Sequence, residues 1–171
     1  FFKFLERNIL KILKLKSPYI EKAIFESCKI KKKVVEKDEK EKGMRKILNF
    51  GHTFAHAYEA TLRYSTKLNH GEAVILGIIT SIKFSLQNKL MKLKEYNEIM
   101  QHIIKLKLPS DIKDYFKPKS LSTIITFMTK DKKNISKKIN PILLKKIGSA
   151  VINNEYDTLK IKKFLSKELG N

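Results

Sequence analysis

The sequence predicts a mainly α-helical domain with one small β-hairpin near its C-terminus. Three observations predict it. Apolar residues recur at the spacing of one helix face in stretch after stretch. No glycine-rich phosphate loop follows a strand-like run, so no Rossmann unit is expected in these residues. Two short apolar runs late in the chain flank KKIGS, the pattern of a hairpin.

Residues 1 to 15 carry Phe1, Phe4, Leu5, Ile9, Ile12 and Leu13 at helical spacing. Ser17-Pro18 opens a second helix, because proline is tolerated where a helix begins, and the apolar pattern runs on through Ile20, Ala23, Ile24 and Cys28 towards Val35. The charged run EKDEKEKG (36–43) ends at Gly43 and predicts a bend. Helices are expected over 44–63, over 71–89 after NHGEA, and over 93–106 before Pro109. DIKDYF and SLSTIITFMTKDKK read as short helices, NPILLKKIGSAVI as the hairpin, and Tyr156 to Leu169 as a last amphipathic helix.

At 171 residues the chain suits one domain, here taken as 1–171. Its 42% hydrophobic and 32% charged residues describe a soluble globular protein, and no apolar run is long enough for a membrane span. The basic, apolar start FFKFLERNILKILKLK contains Glu6, lacks a cleavage pattern and does not begin with Met, so it reads as part of a longer protein rather than a leader. One cysteine, Cys28, rules out an internal disulfide, fits the reducing cytoplasm and is expected as a small buried hydrophobe. The net charge of +20 would suit nucleic acid. It is almost all lysine, with arginine at Arg7, Arg45 and Arg63 alone, and no aromatic platform accompanies it, so nucleic acid is not the expected partner.

The chemistry gathers in LNFGHTFAHAYEA (48–60) and NHGEAV (69–74). On a continuous helix turning about 100° per residue, Arg45, Asn49, His52 and His56 fall within roughly 60° of arc. The other positions, such as Leu48, Phe50, Phe54 and Ala57, are apolar. A polar stripe on such a helix needs partners, and Arg, Asn and His together suit an anionic, hydroxylated ligand. Histidines four apart can offer two imidazoles to one site, but TFA between them lacks the glutamate of a zinc protease. The spacing allows both to ligate, or one to bind a metal while the other meets the substrate; a pair of satisfied core histidines would show the same spacing. His70, beside Gly71, adds a third imidazole where the backbone can approach a ligand closely. Glu72 reads as a first-turn acid, and His102 has no comparable company.

These residues, in this order, resemble the C-terminal domain of the 3-dehydroquinate synthase family, across nearly the whole chain. The pattern runs through Lys31, Val34-Val35, Asp38 to Glu41, Gly43, Arg45, Asn49, His52, His56 and His70. The resemblance implies the dehydroquinate synthase-like multi-helix fold and a phosphate-eliminating cyclisation of 3-deoxy-D-arabino-heptulosonate 7-phosphate in the shikimate pathway. It implies NAD, held by an upstream Rossmann-like domain outside this chain, and a divalent metal, zinc or cobalt. His52 and His70 would be two metal ligands, with a third, a glutamate, upstream. His56, Lys31, Arg45 and Asn49 would be catalytic and substrate-binding, joined by Lys132 or Lys133. A cytoplasmic homodimer is expected of the full-length enzyme, and inactivity of this chain alone. Ala55 stands where glycine is common, and DKKNISKKINPILL lacks a glycine often found there. The other readings are a sibling sugar phosphate cyclase, a metal-dependent polyol dehydrogenase, and a basic helical module that binds nucleic acid.

Overall fold

The computed structural model describes residues 1–129, 138–152 and 155–170. Its helices are α1 (Phe2–Leu13), α2 (Tyr19–Lys37), α3 (His52–Thr61), α4 (His70–Gln87), α5 (Leu93–Lys105), α6 (Leu121–Thr129) and α7 (Thr158–Leu169). Short 3-10 turns occupy Met44–Asn49, Ile112–Asp114 and Pro118–Ser120. Among the described residues four short strands follow α6: β1 (Lys138–Ile139), β2 (Leu143–Lys146), β3 (Ser149–Val151) and β4 (Tyr156–Asp157). The predicted fold class is therefore the observed one. The residues form two compact units, Phe1–Leu48 and Asn49–Asn171.

In the first unit, α1 and α2 pack as a helical hairpin, and Ile12, Ala23 and Val34 are buried. Cys28, expected inside, is exposed on α2. The α2 period places it on the side that also exposes Ile24 and Phe25, so one small apolar residue was a poor guide to the buried face. The bend after α2 is organised by one side chain. Asp38 accepts backbone N–H bonds from Gly43 (2.7 Å), Arg45 (2.9 Å) and Lys42 (2.9 Å). The Arg45 and Gly43 amides favour the ionised carboxylate and hold Asp38 below its usual range.

The second unit is built around α3 and α4. Phe54, Ala55, Ala57 and Tyr58 of α3 are buried, as are Ala73, Leu76, Ile79, Ile82 and Phe84 of α4. Each large side chain so buried contributes about 1.5–3 kcal/mol. Thr80, Ser81 and Ser85 are also buried, and their hydroxyls donate to the carbonyls of Leu76, Gly77 and Ser81 one turn back. The Thr80 proton is thereby spent, so the Tyr58 hydroxyl is the donor in their 2.8 Å bond. Burial pushes the Tyr58 phenol well above its usual range. Tyr58 packs on Phe116, ring centroids 5.1 Å apart, and Phe84 lies 4.9 Å from both Phe164 and Tyr156. Lys83 of α4 pairs with Glu168 of α7 at 2.6 Å.

The predicted hairpin is β2–β3, with Leu143 opposite Val151 and Leu144 opposite Ala150. The Leu144 N–H donates to the Ser85 hydroxyl and ties the hairpin to α4. A second antiparallel pair, β1–β4, was not expected. It takes Tyr156 and Asp157 out of the last helix, which begins at Thr158 with the Asp157 carboxylate accepting the Leu159 N–H at 2.6 Å.

The main departure lies between residues 44 and 63. No continuous helix runs there: the Met44–Asn49 turn ends, Gly51 takes φ +86°, and α3 starts at His52. A Cβ at Gly51 would lie 2.7 Å from both Ile78 Cγ1 and the Ile78 nitrogen. A Cβ at Gly77 would collide with the Gly51 carbonyl oxygen and meet the Ala55 nitrogen at 3.0 Å. The two backbones are in contact at this crossing, and no L side chain fits at either position. Gly71 differs, since a Cβ there would meet only Asn69 Oδ1, at 3.5 Å.

Gly77→Ala is expected to cost about 1–3 kcal/mol or more by forcing α3 from α4. Gly71→Ala should be neutral or stabilising by about 0.5–1 kcal/mol, through helix propensity and reduced unfolded-state freedom. Urea unfolding checks the pair, and equal midpoints would contradict the close crossing. Because the folded-state pKa of Asp38 is depressed, its loop bonds are present at neutral pH and lost as pH falls through that pKa. The amide proton shifts of Lys42, Gly43 and Arg45 should titrate together below about pH 3.9, the ordinary Asp value. A shared midpoint at or above that value would contradict the assignment.

Candidate functional site

The break at Gly51 changes the site predicted from periodicity. Asn49, exposed, lies before the break and His52 after it, so Arg45, Asn49, His52 and His56 do not share one helix face. A positive-φ glycine resets the helical phase, and the predicted arc of roughly 60° assumed that none intervened. Arg45 lies in the first unit, half-buried, its guanidinium donating to the Glu39 carbonyl. Lys31 is exposed on α2 in the same unit. Lys132 and Lys133 lie outside the described residues.

The three histidines do come together. His52 and His56 sit one turn apart on α3, with ring centroids 5.4 Å apart. The ring of His70, first residue of α4, lies 5.8 Å from His52 and 6.4 Å from His56. The Gly51–Gly77 crossing sets the placement of the two helices that carry them. Asn69 caps α4 in a full capping box: its side chain accepts the Glu72 N–H, and Glu72 returns a bond to the Asn69 N–H, both 3.0 Å. Glu72 is thus a helix-capping acid. The close approach expected of Gly71 is not to the chain itself, where a Cβ would find ordinary van der Waals contact.

Glu59 was missed. It lies on α3 seven residues beyond His52, two turns along the same face, and Oε1 is 3.0 Å from His70 Nδ1. Its side chain is 12% exposed against 61% for His70. The i, i+7 spacing from His52 was the available signal. It was hidden because Glu59 reads as a solvated acid at the end of an apolar helix.

The cluster can be tested against a metal. A zinc–nitrogen bond of about 2.0–2.1 Å puts a bound ring's centroid about 3.2 Å from the ion, so two rings near the tetrahedral angle stand about 5–6 Å apart. The pairs His52–His70 and His52–His56 meet that limit, while His56–His70 at 6.4 Å would need the ion almost on the line between them. Among the described residues no group of three or more His, Cys, Asp or Glu could hold a metal together. The ring spacing admits two imidazoles at one ion, His52 with either His70 or His56. His102 stands apart from the cluster, on α5. No helix among the described residues is long and apolar enough to cross a membrane.

Comparison with known proteins places this geometry in context. The 3-dehydroquinate synthase of Pelagibacter ubique is 61% identical over 169 residues, covering 99% of this chain and 46% of that protein. The 3-dehydroquinate synthase of Thermoanaerobacter pseudethanolicus is 38% identical over 164 residues, 95% of this chain and 45% of its own length. The chain thus spans a little under half the length of these relatives. Among solved structures, the 2-epi-5-epi-valiolone synthase of Streptomyces hygroscopicus subsp. jinggangensis, with NAD+ and Zn2+ bound, superposes with a TM-score of 0.80. That likeness covers 98% of this chain and 45% of the other, and at 19% identity it speaks for the fold alone. A 2-deoxy-scyllo-inosose synthase complexed with carbaglucose-6-phosphate, NAD+ and Co2+ gives a TM-score of 0.57 at 25% identity, over 75% of this chain and 35% of that one. The family profile described as 3-dehydroquinate synthase C-terminal matches residues 1–134, and the chain belongs to that family.

Proposed function

We propose that this chain is the metal- and substrate-binding part of a 3-dehydroquinate synthase, a carbon–oxygen lyase that converts 3-deoxy-D-arabino-heptulosonate 7-phosphate to 3-dehydroquinate and phosphate. The observation that carries the reading is the convergence of His52, His56 and His70 within 5.4–6.4 Å in a member of this family. His52 and His70 would hold a divalent ion, zinc or cobalt, with a third ligand from an NAD-binding domain beyond these residues. When bound, the ion supplies Lewis acidity at a substrate hydroxyl and NAD a reversible hydride acceptor.

The chain's own residues do the holding. Lys31, Arg45 and Asn49 supply charge and hydrogen bonds to the substrate's carboxylate and phosphate, with Lys132 or Lys133 adding a further cation. The Asp38 bonds to the backbone around Arg45 give that guanidinium a fixed base. His56, exposed and one turn from His52, is free of the capping and packing duties of its neighbours and would meet the substrate phosphate. The working enzyme would be a cytoplasmic homodimer.

A sibling cyclase is the second reading, favoured by the 25% identity with a 2-deoxy-scyllo-inosose synthase over 75% of this chain. The carboxylate decides between them. The enzyme assembled with its NAD-binding domain should turn over the carboxylate-bearing heptulosonate phosphate, and a sugar phosphate without the carboxylate poorly. The reverse preference would favour the sibling.

The assembled enzyme is expected to bind about one equivalent of zinc or cobalt per chain. His52→Ala or His70→Ala should lose it, whereas His56→Ala should keep the metal and lose about 100-fold or more in kcat/KM. Metal analysis beside steady-state kinetics separates the two; retention of metal by both His52→Ala and His70→Ala would sink the ligand assignment. The 171-residue chain alone is expected to show no turnover with NAD, metal and substrate supplied. Product formation by it, followed as released phosphate, would contradict the division of labour.

A further inference from the structure

We infer that Glu59 is a positioning residue that sets the tautomer of His70. Its carboxylate holds the proton on Nδ1 and leaves the lone pair on Nε2, the nitrogen then free to bind a metal. The inference rests on the proposed ligand role of His70 for its consequence, but not for its geometry.

Glu59 Oε1 lies 3.0 Å from His70 Nδ1, a hydrogen-bond distance. A carboxylate oxygen only accepts, so Nδ1 must be the donor, and a neutral imidazole has one N–H to give. His70 is 61% exposed at the start of α4, where packing does little to hold its ring, while Glu59 is 12% exposed on α3. The more rigidly placed group therefore orients the looser one. The neighbouring acid cannot take over this task, because Glu72 is engaged with the Asn69 N–H in the capping box.

His52 repeats the arrangement in weaker form, its Nδ1 lying 3.4 Å from the Phe50 carbonyl oxygen, which also only accepts. The two rings, 5.8 Å apart, are thus polarised alike, each with Nδ1 towards an acceptor of the chain. A carbonyl or carboxylate behind the far nitrogen is the recurrent support of metal-binding imidazoles. An exposed ion pair kept for stability would contribute little, and no stability role requires both rings to share one tautomer.

Nitrogen-15 histidine spectra of the metal-free chain, at a pH where the rings are neutral, test the inference directly. His70 should show the Nδ1–H form. In Glu59→Gln, whose amide can donate as well as accept, the Nε2–H form should appear, with backbone amide spectra confirming an intact α3. Zinc affinity of the assembled enzyme, by chelator competition, should weaken about 10- to 100-fold in Glu59→Gln. An Nε2–H ring in the unaltered chain would overturn the inference without reference to any variant or metal. So would a His70 tautomer indifferent to Glu59→Gln. A tautomer that shifts while zinc affinity stays the same would uphold the positioning by Glu59 and overturn the ligand role of His70 on which its purpose rests.

Discussion

The contact on which the second unit depends is the crossing of two backbones at Gly51 and Gly77. A Cβ on Gly77 would run into the Gly51 carbonyl oxygen, and one on Gly51 into Ile78. The same Gly51, at φ +86°, ends the preceding turn and lets α3 begin at His52. One residue thus fixes where the helix starts, how near it lies to α4, and which turn of α3 faces the first turn of α4. Close-packed interiors deform little, so a displacement at the crossing would carry through to the rings of His52 and His70 and to the bond from Glu59. The bulk of Phe54, Tyr58, Leu76 and Phe84 supplies the driving force for burial. The glycines decide its register.

Much of the fold was legible because helix periodicity survives local errors. The apolar spacing of α1, α4 and α5 and the KKIGS turn led to elements within a few residues of those observed. The break before His52 was not legible, because the polar residues at 45, 49, 52 and 56 keep a helical spacing across it. Two segments of different conformation happened to continue one period, and periodicity cannot see a phase reset at a single glycine. Tyr156 and Asp157 were misplaced for a related reason: their partners in β1 lie 17 and 19 residues earlier, beyond any local pattern. Within the site, the histidines were legible by residue type and their convergence only by tertiary structure. Glu59 carried only its i, i+7 spacing from His52, and its bond to His70 appeared once the fold brought α4 beside α3.

The charge of +20 reads differently once the partners are known. Lys83–Glu168 is a half-buried pair that ties α4 to α7. Lys3–Glu6 and Lys32–Glu36 are exposed pairs within one helix each, of a kind worth a few tenths of a kcal/mol. Such pairs do not account for a lysine-rich surface. A positive field does draw anions towards a protein at long range, which would suit the proposed substrate with its carboxylate and phosphate. The field says nothing about which anion is held; on the proposed reading that would fall to groups with fixed geometry, such as Arg45 on the loop organised by Asp38.

The unequal spacing of the three rings limits which of them could share an ion. The His52 and His56 rings, four residues apart on α3, stand edge to face with centroids 5.4 Å apart, so α3 alone presents two neighbouring imidazoles. His70 stands nearer to His52, at 5.8 Å, than to His56, at 6.4 Å. An ion with nitrogen bonds of about 2 Å can join His52 to either partner but joins His56 to His70 only when nearly collinear with both. On the tautomer proposed for His70, with Nδ1–H held by Glu59, the Nε2 lone pair would favour the pair His52–His70. With His52 and His70 taken as the pair, His56 would be left one helical turn away from the ion. A phosphate, with oxygens on several sides, is large enough to fill that step, and on the proposed reading the middle histidine of the sequence would meet substrate rather than metal.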